Sequence, residues 1–279
     1  MAPRVSVVIP VHNGMPFLPE ALESVLRDKP DDVEVIVREN GSTDGTLEWL
    51  RARSSDDFTL VVSDRLVSAA ENWTAACEAA TAPYVKLLCA DDYVTEGGLG
   101  RQLAAAIENP DAVLVGSPRR VVDESGRVIM ARRGLSRLGG PISGKRAQKK
   151  AAFSGANPFG EPSSVLFRAD ALKASLPFGD DFPYVTDLQM YVRVLEHGSF
   201  LGLRSVDAAF RLHNASWSQS IGSNQLRDFQ GWARSLETSG VVVSNAFHRA
   251  TTGLRFRTSF LARTVVSWLA RTRGRATRP

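Results

Sequence analysis

The chain has 279 residues, of which 43% are hydrophobic and 23% charged, with a formal net charge of +4. That balance fits a globular protein with a sizeable core and excludes a fibrous or globally disordered chain. The two cysteines, Cys77 and Cys89, fall in stretches that read as buried helix and buried strand, which excludes a disulfide scaffold and fits a reducing cytoplasm.

Residues 5–9 form an almost uninterrupted β-branched run, the pattern of a strand buried on both faces of a parallel sheet, and Pro10 is expected to end it. Residues 16–27 place Phe17, Ala21, Leu22, Val25 and Leu26 at helical spacing, with Pro16 and Pro19 tolerable in a first turn. Residues 33–37 read as a second strand, 41–46 as a turn cluster leading into a helix through Trp49 and Leu50, and 58–62 as a third strand. A helix over 72–80, a strand over 84–89, a helix over 99–107 stopped by Asn109-Pro110, and a strand over 112–115 follow. This alternation predicts right-handed crossovers and a parallel sheet.

From about Arg119 the regularity fades, and residues 132–150, rich in Gly, Arg, Lys and Ser, read as a mobile loop. Residues 163–167 read as a strand, 187–196 as a helix with Leu188, Tyr191, Val192 and Leu195 inward, and 200–212 as two short strands. Residues 254–269 interleave apolar residues with arginines, as an interfacial helix or a helix packed on the domain would. The first residues lack the layout of a signal peptide, and no apolar run reaches the roughly 18 to 20 residues that span a bilayer. A cytoplasmic protein, at most peripheral on the inner face of the membrane, is expected.

In wound α/β sheets ligands sit beyond the carboxyl ends of the strands. Those ends carry Pro10-Val11-His12-Asn13, Glu39-Asn40-Gly41-Ser42, Ala90-Asp91-Asp92 and Arg211-Leu212-His213. Two adjacent carboxylates at a strand tip repel one another unless a cation intervenes, and a hard divalent ion shared with phosphate oxygens suits such a pair. The alternative is that Asp91 and Asp92 cap the following turn, as Ser42-Thr43-Asp44 would cap its helix. Glu39, directly after a buried strand, can accept a hydrogen bond from a base-ring N–H. No glycine-rich phosphate loop follows the first strand, which argues against a dehydrogenase or a kinase.

Val5-Ser6-Val7-Val8-Ile9-Pro10-Val11-His12-Asn13-Gly14 and Glu34-Val35-Ile36-Val37-Arg38-Glu39-Asn40-Gly41-Ser42-Thr43-Asp44-Gly45-Thr46 resemble the opening signature of the family-two inverting glycosyltransferases of the GT-A fold. The similarity extends in order through Asn72, residues 88–93, 160–168, 186–198 and 210–213. It implies an α/β fold, a GT-A Rossmann-like, mostly parallel central sheet flanked by helices, with a helical C-terminal appendage. Residues 1–118 would form the nucleotide-sugar donor half, 119–222 the acceptor half with the catalytic base, and 223–279 a basic amphipathic helical segment.

By position, the resemblance implies that Pro10, Val11, His12, Asn13, Asn72, Lys86 and Ala90 line the donor, with Glu39 where the family has a base-contacting Asp. Asp91 matches the last acid of the metal-binding Asp-x-Asp motif, whereas Cys89 occupies its first position. Asp91, Asp92 and His213 would hold Mn²⁺ or Mg²⁺, and Arg211 would help neutralise the leaving group. Gly160, Glu161, Pro162 and Ser163 would face the acceptor, and Asp187 would act as general base. A uridine or thymidine diphosphate sugar is favoured over a guanosine one, with a carbohydrate or lipid-linked acceptor, no nucleic acid, and a possible membrane surface through residues 254–278. The rival readings are a catalytically weak nucleotide-sugar-binding module and a sugar nucleotidyltransferase.

Overall fold

The computed structural model of the chain describes residues 2–27, 32–53, 57–135, 138–213, 224–245, 248 and 251–259. The apolar runs near the N-terminus become Val5–Val11 (β1) and Val33–Glu39 (β2), followed by Thr59–Val62 (β3) and Tyr84–Leu87 (β4). Between them lie the helices Leu18–Leu26 (α1), Thr46–Ala52 (α2) and Ala69–Glu78 (α3). The third helix starts three residues ahead of the expected Asn72. Ser68 caps it, its hydroxyl accepting from Glu71 N–H while the Glu71 carboxylate reaches back to the Ser68 N–H.

The first strand runs through Pro10 to Val11 rather than ending at Pro10. In a parallel strand each residue sends its N–H and C=O to the same side. Val8 faces β4, where its carbonyl accepts from Leu88, while Val11 faces β2, where its carbonyl accepts from Asn40. Pro10 therefore faces the β4 side, and β4 has already ended at Leu87, so the missing N–H of Pro10 costs no ladder bond.

The chain continues through Tyr93–Val94 (β5), Gly98–Glu108 (α4), Ala112–Gly116 (β6), Arg119–Val122 (β7), Val128–Arg133 (β8), Gly140–Ile142 (β9) and Gly144–Phe153 (α5). It then forms a Pro162–Ser164 turn of 3-10 helix, Val165–Arg168 (β10), Ala169–Ser175 (α6), Thr186–Val194 (α7), Ser199–Gly202 (β11), Ala208–Arg211 (β12) and Gln225–Thr238 (α8). Residues 132–150, read as a mobile loop, thus hold the end of β8, β9 and most of α5. The elements are short and half-exposed, and α5 buries small or polar residues, Ala147, Gln148 and Ala151, so the hydrophobic contrast that marks a helix is weak.

The central sheet has eight strands in the order β3-β2-β1-β4-β10-β6-β11-β9. It is mostly parallel, with β10 inserted antiparallel between β4 and β6, and β9 antiparallel at the edge. Helices flank it on both faces, around a core in which Val7, Val8, Val37, Leu87, Leu114, Phe167 and Phe200 are buried. A second sheet, ordered β5-β12-β7-β8, carries the end of β12 to the turn after β4. Cys77 and Cys89 are both free thiols. No helix among the described residues is long and apolar enough to cross a membrane. Residues 251–259 are helical, and the remainder of the arginine-rich 254–278 segment lies outside the described residues.

Candidate active site

The loops after β1 and β2 clasp one another. Asn13 N–H donates to the Ser42 hydroxyl at 2.8 Å, Thr43 N–H donates to Asn13 Oδ1 at 2.8 Å, and Met15 N–H donates to Asp44 at 2.9 Å. Asp44 also accepts from Thr46 N–H at 3.1 Å, but the N-cap of α2 is Gly45, which offers no side-chain cap bond, so the expected cap by Ser42-Thr43-Asp44 does not form in the usual way. Gly14 is required there, because a Cβ would lie 2.5 Å from the Val11 side chain. His12 is exposed with Nδ1 2.9 Å from the Asn40 carbonyl. Glu39 is buried, its carboxylate accepting from Gly41 and Ser42 N–H at 3.2 and 2.6 Å. It therefore shapes its own loop. Asn72, on α3, is buried and accepts from Arg38.

The turn after β4 carries Cys89, Ala90, Asp91 and Asp92. Asp92 is only 2% exposed and caps no helix. It accepts from Ser163 Oγ at 2.7 Å and from Arg211 N–H at 3.0 Å. Burial, reinforced by the adjacent Asp91 charge, pushes its carboxyl well above the usual range. Asp91 is more open and lies 2.8 Å from His213 Nε2. Cys89, Asp91 and Asp92 offer ligand atoms within 4.8 Å of one another. Burial, then the Asp92 and Asp91 charges, push the Cys89 thiol far up, so it stays protonated at neutral pH.

Arg211, expected to help neutralise the leaving group, meets protein partners. Its guanidinium is buried, donating to the Asp91, Asp123 and Glu124 carbonyls at 3.0 to 3.2 Å and pairing with Glu20. It also stacks over Phe17, 4.9 Å from the ring centroid. Every face of the fork is occupied, so Arg211 braces the Asp91 turn against α1. Lys86, expected to line the donor, is fully buried, with its ammonium on Gln102.

The Gly160 to Ser163 loop, which leads into β10 beside β4, meets this turn through the Ser163 bond to Asp92. Glu161 pairs with Arg119. Burial would raise its carboxyl, but Arg119 and Arg133 outweigh that effect and hold it below the usual range. Gly160 adopts φ +108°, a conformation that favours glycine, and its carbonyl accepts from Asn157 Nδ2 at 2.7 Å and from the Tyr191 hydroxyl at 3.3 Å.

Asp187 stands in the first turn of α7, with Oδ1 accepting from Leu188 N–H at 2.7 Å and Oδ2 from Asn157 Nδ2 at 2.6 Å. Burial pushes its carboxyl up to about 7, and the Glu161 charge adds to the rise, while the Leu188 and Asn157 bonds oppose it. The fields of Asp91, Asp92 and Asp187 all act on the Cys89 thiol. Asn157 ties Asp187 to the Gly160 carbonyl, and Ser163 of the same loop bonds Asp92, so one loop links the carboxylates of α7 and of the β4 turn. Asn157 belongs to no motif recognised in the sequence. The only signal is Asn-Pro-Phe-Gly, a turn sequence, just before Glu161.

If Asp187 serves as a general base, it is unreactive when protonated, so kcat/KM should rise about tenfold per pH unit below about 7 and level off above it. Asn157→Ala removes a donor that favours the ionised carboxyl, so the rising limb should move to higher pH. A limb that stayed in place or moved down would show that Asn157 does not act on the titrating group.

Residues 6–176 match the glycosyl transferase family 2 model. The chain belongs to glycosyl transferase family 2. It is 30% identical over 112 residues to the uncharacterized glycosyltransferase EpsJ of Bacillus subtilis, covering 39% of this chain and 32% of that one. It is 28% identical over 117 residues to the glycosyltransferase GlyG of Streptococcus pneumoniae, covering 41% and 38%. The chain thus spans well under half the length of these two relatives. In fold it is similar to S. aureus TarS 1-349 in complex with UDP-GlcNAc, with a TM-score of 0.67 and 16% identity over 91% of this chain and 71% of that one. It is also similar to the mannosyltransferase PcManGT of Pyrobaculum calidifontis in complex with GDP-Man and Mn²⁺, with a TM-score of 0.61 and 17% identity over 100% of this chain and 77% of that one. The GT-A fold expected of a family 2 member is the fold observed.

Proposed function

We propose that this family 2 member transfers a sugar from a nucleoside-diphosphate donor to an acceptor hydroxyl by one in-line displacement, inverting the anomeric carbon. The observation that carries the reading is geometric: Asn157 ties the Asp187 carboxylate to the Gly160 carbonyl, and Ser163, three residues on in the same loop, bonds Asp92 beside Asp91. A sugar hydroxyl is a poor nucleophile until its proton is taken as the bond forms, and a base matched to the working pH serves best. Asp187 takes that proton, Asn157 orients it, and Gly160 to Ser163 face the acceptor.

The donor set of the Asp91 turn fits a hard divalent cation. Asp91 offers an oxygen and His213 a nitrogen beside it, with the remaining positions open to diphosphate oxygens and water. Cys89, as a neutral thiol, is a poor partner for such an ion. When bound, Mn²⁺ or Mg²⁺ supplies Lewis-acid stabilisation of the departing diphosphate. Asp92 fixes the turn through Ser163 and Arg211, and the His12 to Asn13 loop with Glu39 frames the nucleoside. The half of the chain up to residue 118 takes the donor, residues 119–222 take the acceptor, and a uridine or thymidine diphosphate is favoured.

A thermal-shift series of nucleoside diphosphates with and without Mn²⁺ tests this without knowing the acceptor, because a ligand that binds the native state raises the melting temperature. The expected result is stabilisation by UDP or dTDP that grows when Mn²⁺ is present. Stabilisation by none of the nucleotides would count against donor binding, and stabilisation without any later cleavage of nucleotide sugars would mark a binding module instead.

A further inference from the structure

Lys86 and Gln102 are both 0% exposed, in a part of the molecule where the neighbouring inward residues of α4, Leu103 and Ala106, are apolar. The Lys86 ammonium donates to Gln102 Oε1 at 2.8 Å. Gln102 Nε2 in turn donates to the Ser164 carbonyl at 2.8 Å and to the Ser117 hydroxyl at 3.1 Å. Ser164 closes the Pro162–Ser164 turn, and the Ser163 hydroxyl in that turn donates to Asp92 at 2.7 Å and accepts from Cys89 N–H at 3.3 Å. The Ser164 N–H donates back to the Glu161 carbonyl at 2.8 Å. A continuous buried polar chain therefore runs from the middle of β4, through α4, to the acceptor-side turn and back to the carboxylates at the end of β4.

Such a pair does little for stability by itself. Burial pushes the Lys86 ammonium down to about 7 against the opposing fields of Asp207 and Asp92, and apolar side chains of similar volume would avoid that cost. A fully satisfied buried network does, however, fix geometry.

We propose that Gln102, held by Lys86, is a positioning residue whose amide fixes the Ser164 carbonyl and, through the Ser163 hydroxyl, sets where the Asp91–Asp92 turn stands relative to Glu161 and Asp187. Its catalytic consequence rests on the transfer reading above, whereas the tether itself does not.

The test is the double variant Lys86→Met/Gln102→Met, which replaces the whole pair by apolar side chains, alongside Gln102→Glu, which keeps an acceptor for Lys86 but loses the donor to Ser164. Melting temperature, amide hydrogen exchange of residues 161–164, and kcat for cleavage of a nucleotide sugar with Mn²⁺ are read together. The double variant should melt at or above the wild-type temperature, exchange about tenfold or more faster at 161–164, and lose about 10- to 100-fold in kcat, the scale of outer-shell changes. Gln102→Glu should show the same loss of kcat. Wild-type exchange at 161–164 in the folded double variant would overturn the tether, and wild-type kcat would overturn its catalytic role. If the unmodified chain cleaves no nucleotide sugar, the transfer reading fails and the exchange measurement alone decides the tether.

Discussion

An Asp187→Asn variant is expected to lose about 10²- to 10⁴-fold in turnover while binding a nucleoside diphosphate as tightly as the unmodified chain. Asparagine keeps the shape of the side chain and can still accept through one oxygen, so the Leu188 N–H at the start of α7 keeps a partner. What it cannot do is take a proton. Because Asp187 lies with the acceptor-side loop and Asn157 rather than in the β1 and β2 loops, the donor should not register the change. Parallel measurement of kcat and of nucleotide affinity separates the two. Equal losses in both would place Asp187 in the donor pocket, and unchanged turnover would remove it from the chemistry.

The same substitution carries a stability signature. A carboxyl whose folded value is raised to about 7 binds its proton more tightly in the folded chain than in the unfolded one, so ionising it destabilises the fold as pH rises through that range. Asp187→Asn should therefore raise the melting temperature at about pH 8 more than at about pH 5. A residue kept for chemistry at some cost to the fold behaves in this way.

The second large effect is expected at Asp91. Asp91→Asn removes the charged oxygen that stands beside His213 and leaves the buried Asp92 brackets to Ser163 and Arg211 intact. If Asp91 is the carboxylate through which a cation grips the diphosphate, the variant should bind UDP about 10²- to 10³-fold more weakly in the presence of Mn²⁺. A metal contact is worth several kcal/mol, and about 1.4 kcal/mol is tenfold. Without Mn²⁺ the two proteins should bind UDP alike. Calorimetric titration with and without the ion gives both numbers. A loss of the same size in the absence of Mn²⁺ would assign Asp91 to a direct polar contact instead of a cation site.

The parts of the fold that were legible in the sequence are those where burial is complete and the period is clean. The β1 and β2 runs of Val and Ile are buried along almost their whole length, and the residues after them are the ones that meet at the site. The antiparallel insertion of β10 was not legible, because residues 165–168 announce a strand but nothing in them names β4 and β6 as partners. Nor were β8 and α5, whose exposed or small residues blur the pattern. At the candidate site, Asp91 and Asp187 were singled out by motif and by order along the chain. The protein partners of Arg211 and Lys86 were not legible, since a sequence shows that a charge is present and not which carbonyls or amides it meets. Asn157 and Gln102 were missed for the same reason. For Gln102 a signal did exist, an amide at an inward position of an otherwise apolar helix face.

The Asp91 turn and Asp187 are expected to act in one cleavage of a nucleotide sugar. Incubation of the chain with UDP-, dTDP- and GDP-sugars and Mn²⁺, following release of the free nucleoside diphosphate, tests it most directly. Release is expected from at least one uridine or thymidine donor, dependent on the ion, faster at about pH 8 than at about pH 6, and slowed about 10²- to 10⁴-fold by Asp187→Asn. No release from any donor, or release that Asp187→Asn leaves untouched, would contradict this expectation.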